Sequence, residues 1–215
     1  MNVFLVALGM IVLVRDASAS TPCFLCPCNK KLFADVGACN GDCRVSLGCF
    51  SNICGTISLP GTPPTAEQDA EQRAAFPKLT CFSVLAQEDK SYNCIGWSAG
   101  DKSWVWKEVD SVYGDNDKKV EVEDFDKYYA AGGYVPSASC AQEDGKTKVV
   151  LYGKPLPGSG EYQPTHAAKQ AADFSSKDGD WWESKEGKEK MSLHKLEELE
   201  GANYGVVIKC YERPL

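Results

Sequence analysis

The apolar positions of this chain change their period several times along its length. Val3 to Val14 is an unbroken apolar run, too short to cross a bilayer as a helix. Ala17-Ser18-Ala19 follows it with the small residues of an export-signal cleavage site. Thr65-Ala66-Glu67-Gln68 has the form of a capping box, which predicts a short polar helix to about Ala75, ended by Pro77. Asn93 is placed to cap a brief helix over Cys94 to Ala99, stopped by Gly100. Val122, Phe125, Tyr128 and Tyr129 recur at helical spacing and predict a helix over 122–131, closed by Gly132-Gly133.

Beyond that point the pattern turns mostly to strand. Thr147 to Tyr152 is β-branched, and Gln163 to Gln170 and Trp181 to Lys185 give two further strands with the turn signal Lys177-Asp178-Gly179-Asp180 between them. Ser192 to Leu199 predicts a last helix, with Leu193, Leu196 and Leu199 on one face and Gly201 as terminator. Tyr204 to Tyr211 predicts a final strand with Val206, Ile208 and Cys210 on one side. Helices first and strands afterwards favour an α+β class over a doubly wound sheet.

Composition divides the chain into four stretches. Residues 1–19 form a signal peptide, 20–54 a cysteine-rich segment, 55–76 a linker with the short helix, and 77–215 the main domain. The signal implies a secreted, extracellular protein without a membrane span, so disulfides are the default state of its 11 cysteines. Seven lie between Cys23 and Cys54, in a stretch too small to bury a core of its own and held by bridges instead. Setting Cys94 aside leaves an even number. If all ten are bonded, at least one cysteine of the cluster must then pair outside it, with Cys81, Cys140 or Cys210. Cys23 and Cys26 have metal-ligand spacing, but no histidine is near and the compartment is oxidising, so neither metal nor cofactor is expected.

The formal charge is −7. Lys30, Lys31 and Arg44 outnumber Asp35 and Asp42, which leaves the acidity in the main domain. Such a body has no electrostatic footprint for nucleic acid.

Candidate chemistry rests on Cys94 and His166, one of only two histidines. A thiol at a helix start has its pKa lowered by the dipole, and a strand-borne histidine downstream can take its proton. Ser184 is the candidate to orient the imidazole through Nδ1, because its strand can run beside that of His166. Glu183 would face the other way. The bland alternatives are a disulfide-bonded or buried Cys94 and a His166 satisfied within the sheet. His194 reads as a packing or capping histidine on the last helix, outside the site. Trp181 and Trp182 are adjacent, so one of them is expected to face solvent, a groove or the N-terminal segment.

The run Tyr92-Asn93-Cys94-Ile95-Gly96-Trp97 with Trp104-Val105-Trp106, then Pro164-Thr165-His166-Ala167-Ala168-Lys169, Trp182-Glu183-Ser184-Lys185 and His194-Lys195-Leu196-Glu197-Glu198-Leu199-Glu200-Gly201 with Tyr204-Gly205, resembles an uncharacterised domain family of bacteria and fungi. The family pattern reads N-C-I-A-W, P-T-H-A-A-R, W-x-S-K-L-G and H-x-L-x-x-L-x-G-x-x-Y-G. Glu186 and Lys169 depart from it, standing where the pattern has leucine and arginine. The cysteine-then-histidine order is similar to papain-like and NlpC/P60-like cysteine hydrolases. The resemblance implies a papain-like body with an antiparallel sheet and a Cys94–His166 dyad. The expected function is thiol-dependent hydrolysis of an amide bond in a peptide or peptidoglycan-like substrate, with a peptide or glycopeptide-like molecule as the partner. The competing expectation is a non-enzymatic secreted binding protein with a degenerate site and an extracellular protein partner.

Overall fold

The structure, a computed structural model, describes the strand residues 21–25, 32–33 and 55–59 and residues 61–80, 82–143, 145–171 and 181–215. The signal peptide, most of the cysteine-rich segment, Cys81 and the Lys177–Asp180 turn lie outside these residues.

The N-terminal strands β1 (Thr21–Leu25), β2 (Leu32–Phe33) and β3 (Gly55–Leu59) pair in a three-stranded antiparallel sheet of order β2-β1-β3. The start of the expected linker is therefore a strand, and further on Thr62 exchanges two backbone hydrogen bonds with Val84, each 2.9 Å.

The main domain is built on β4 (Ser83–Ala86), β5 (Val135–Ser137), β6 (Lys146–Pro155), β7 (Tyr162–Gln170), β8 (Trp181–Lys185), β9 (Met191–Lys195) and β10 (Val206–Pro214). They form one antiparallel sheet of order β4-β9-β8-β7-β6-β10-β5. Around it lie α1 (Ala66–Ala75), α2 (Cys94–Ala99), a π-helical turn (Val109–Tyr113), α3 (Val122–Ala131) and a 3₁₀ turn (Leu196–Leu199). The capping box of α1 is present, with Gln68 N–H donating to Thr65 Oγ1 and Thr65 N–H to Gln68 Oε1.

Both faces of the sheet are covered, and successive residues of the central strands serve opposite cores. Val149, Leu151 and Ala167 pack with Cys94, Ile95, Phe125 and Tyr129 under α2 and α3. Val150, Tyr152, Ala168 and Trp182 pack on the other face with Phe76, Leu79 and Leu199. This explains why neither tryptophan of the pair is exposed. Trp181 and Trp182 keep 1% and 0% of their surface, so the expectation that one faces solvent is corrected.

Two other expectations change. Ser192 to Leu199 is not a helix: β9 pairs residue by residue with β8, Trp182 opposite His194 and Ser184 opposite Ser192, and only Leu196–Leu199 turns helically. The leucine spacing suited a helix, but hairpin pairing with a buried strand outweighed it. In β10 the register slips between Val207 and Lys209. Ile208 consequently packs toward α3 while Cys210 joins the opposite core. A bulge of this kind reassigns faces that strict alternation would keep together.

Cys140 and Cys210 form a disulfide within the main domain, and Cys94 is free. By parity the seven cysteines of the N-terminal cluster are left with Cys81. Peptide mapping without reduction should therefore find Cys81 linked to a fragment of 23–54. Recovery of Cys81 as a free thiol would remove that covalent tie.

Candidate functional site

Asn93 organises the start of α2. Its Oδ1 accepts the Gly96 N–H at 3.1 Å, and its Nδ2 donates to the Val105 carbonyl at 2.8 Å, fastening the helix to the segment before Trp106. Gly100, at φ 91°, ends the helix in the left-handed region. Gly96 is held tightly, since a Cβ there would strike the Ser103 carbonyl.

Cys94 occupies the first helical position with 6% of its surface exposed. The β7–β8 ladder explains what its sulfur meets. Lys169 pairs with Glu183 and Gln170 with Trp182, and the Ala171 N–H donates to Trp181. Alternation aims the Ala167 N–H along the same edge, but pairing stops before it and the strands open. The backbone amides of Ala167, Ile95 and Cys94 itself face the sulfur and favour its thiolate. Burial nevertheless dominates and pushes the thiol up to about 11, against these amides and the charge of Lys185. The depressed thiol expected at a helix start is thus reversed. Three amides and a lysine charge do not offset the loss of water.

His166 lies one residue away along β7, yet its side chain belongs to the opposite face. Its ring stacks on Tyr204 at 3.9 Å and 3° and sits 5.7 Å from the Tyr152 ring, on the Trp182 side of the sheet. No hydrogen bond joins it to Cys94 among the described residues. What the structure brings to His166 is Ser184, with Nε2 and Oγ 3.0 Å apart. Ser184 Oγ lies in turn 2.7 Å from His194 Nε2. The ring nitrogen at Ser184 is Nε2 rather than the expected Nδ1. His194, expected outside the contact, closes the chain instead, because on a strand it stands diagonal to Ser184 on the same face.

The direction of this relay follows from its far end. His194 Nδ1 is 2.7 Å from the Lys195 carbonyl, which can only accept, so Nδ1 carries the proton and Nε2 is an acceptor. Ser184 therefore donates to His194 and accepts from His166 Nε2–H. Both rings are neutral. Burial lowers His194 to about 4 against the Lys195 carbonyl, and burial first, then His194, holds His166 well below the ordinary histidine range.

Glu186 sits beside this face. Its carboxylate accepts from Gln72 Nε2 at 2.5 Å and Ser192 Oγ at 2.6 Å. The departure from the family's leucine thus ties α1 to the sheet, while burial raises its pKa. The sequence offered one signal for His194, its status as the second of two histidines, and none for the Gln72–Glu186 contact.

These features define a class: an α+β domain on a doubly covered, seven-stranded antiparallel sheet, with a free buried thiol on one face and a histidine–serine–histidine relay on the other. The chain belongs to the family described as a domain of unknown function, DUF7689, whose model matches residues 83–212. The match opens at β4 and closes within β10, so it spans all seven strands of that sheet and omits the three-stranded N-terminal one. Comparison with curated proteins and with solved structures found no match. No helix of the described residues is long and apolar enough to cross a membrane.

Proposed function

We propose that the chain is a secreted, non-enzymatic binding protein, in which Cys94, His166 and Ser184 hold the sheet together instead of turning over a substrate. One observation carries this reading. The thiol and the imidazole serve opposite faces of β7, each already satisfied by groups other than the other. Nucleophilic catalysis needs the base within hydrogen-bond reach of the thiol. With Trp181 and Trp182 buried, Trp104, 43% exposed, and Tyr162, 39% exposed, are aromatic side chains available to an extracellular protein or glycopeptide partner.

A second reading, a papain-like cysteine hydrolase cleaving an amide bond with Cys94 as nucleophile and His166 as base, is favoured by one feature. The sulfur at the start of α2 contacts the amide of Ala167, the next residue after His166.

Alkylation separates the two. At pH 8 a thiol with pKa about 11 has a thiolate fraction about a hundredfold below that of an unperturbed one. Native, unreduced protein treated with iodoacetamide should label Cys94 at least that much more slowly than the urea-unfolded chain. Rapid labelling of Cys94 at pH 6, lost in His166→Ala, would sink the binding reading and support the hydrolase.

A further inference from the structure

On the α3 side of the sheet, Asp110, Asp115 and Asp117 each bring a carboxylate oxygen to within 4.8 Å of the others. Such clusters are ordinarily solvated and carry no ion. Asp110 is the exception here, because it is 4% exposed. Its Oδ2 accepts the Lys118 N–H at 2.9 Å, while its Oδ1 is buried and meets no hydrogen-bond donor among the described residues. Nor does any cationic side chain of the described residues form an ion pair with it. The one ion pair in the cluster is Lys119 Nζ to Asp117 at 3.5 Å, and that lysine is 72% exposed. A buried carboxylate oxygen without a partner is unfavourable unless another group completes it.

The surrounding loop leaves the second oxygen of Asp115 for the same purpose, and that of Asp117 meets only the exposed Lys119 ammonium at 3.5 Å among the described residues. Asp115 Oδ1 accepts the Asp117 N–H at 3.1 Å and Asp117 Oδ1 accepts the Lys119 N–H at 2.8 Å, which spends one oxygen of each carboxylate on the loop itself. Asn116 and Lys118 take the left-handed backbone, φ 62° and 74°, and so curl the chain back on Asp110.

We propose that Asp110, Asp115 and Asp117 form a Ca²⁺ site that fastens the π-helical turn to the loop leading into α3. An all-oxygen ligand set selects a hard cation over zinc or copper. Three carboxylates from an irregular loop, completed by water, suit the flexible coordination of Ca²⁺ better than the octahedral demand of Mg²⁺. Val109 and Val120, which flank the cluster, both pack in the core over Cys94, so ion binding would brace that core. Extracellular modules bind Ca²⁺ with dissociation constants of about 0.1–1 mM, within reach of the concentration outside a cell.

The test uses the full chain, stripped with EDTA and followed by thermal unfolding. Calcium chloride at 5 mM should raise Tm by about 3–8 °C, and magnesium chloride at 5 mM by less than half as much. Asp110→Asn should abolish the calcium shift while still unfolding cooperatively. Should that variant fail to fold, Asp115→Asn at the exposed end of the cluster is read by the same criterion. Terbium luminescence sensitised by the protein's aromatic side chains should saturate in the parent chain and be lost in the variant. A Tm unmoved by calcium, an equal shift with magnesium, or a variant that responds like the parent would each leave an adventitious ion only and overturn the site.

Discussion

Lowering the pH from 7 to 5 should cost the folded protein up to about 3–4 kcal/mol, the limit set by two protonations that only the unfolded chain accepts. The chain has two histidines, and both lie in the buried relay with pKa values lowered by burial, His194 to about 4 and His166 well below its ordinary range. In the unfolded state each returns to about 6.5. Between that value and the folded ones the unfolded chain binds more protons, so stability is complete above pH 6.5 and falls as the pH drops. Most carboxylates change little above pH 5, which makes the window specific to the relay. Glu186 acts oppositely: burial raises its pKa, so acid relieves its buried charge and offsets part of the loss. Urea unfolding of the disulfide-intact protein at pH 7 and pH 5 measures the difference. Stability constant to within about 1 kcal/mol would mean that both histidines ionise in place, which contradicts the neutral relay.

Ser184→Ala should destabilise the protein by about 2–4 kcal/mol. The change removes one hydroxyl and little volume, so cavity formation contributes little. The cost lies in what it strands: His166 Nε2–H loses its acceptor and His194 Nε2 loses its donor, both in a site closed to solvent. A buried polar group without a partner costs about 1–3 kcal/mol, and here one substitution orphans two. Chemical denaturation at pH 7.5, above the histidine window, isolates this effect from protonation. A loss under about 1 kcal/mol would show that the hydroxyl is dispensable and that the two rings are satisfied in another way.

Much of the architecture was legible along the chain wherever one local signal outweighed its rivals. The helix 122–131 and the strand Trp181–Lys185 fall where the apolar period and the turn residues set them. Asn93 and Gly100 bound α2 because a cap and a left-handed stop act within a few residues of where they are written. The odd cysteine count required one unpaired thiol, and the helix start at Asn93 pointed to Cys94 as that one. Ser184 as the partner of His166 followed from two strands long enough to lie side by side.

What the chain could not specify locally was which face each strand residue serves and how far each ladder runs. His166 and Ala167 are neighbours in sequence, yet only the sheet, clad on both sides, sends one toward Trp182 and the other toward Cys94. The opening of the β7–β8 ladder gives the sulfur an amide, and burial under α2 reverses the thiol's expected acidity. Hairpin pairing turned His194 from a helix residue into the end of the relay. Local propensity is set by a residue and its near neighbours. Face, burial and electrostatic environment depend on contacts across the sheet, and those exist only once the whole domain has closed.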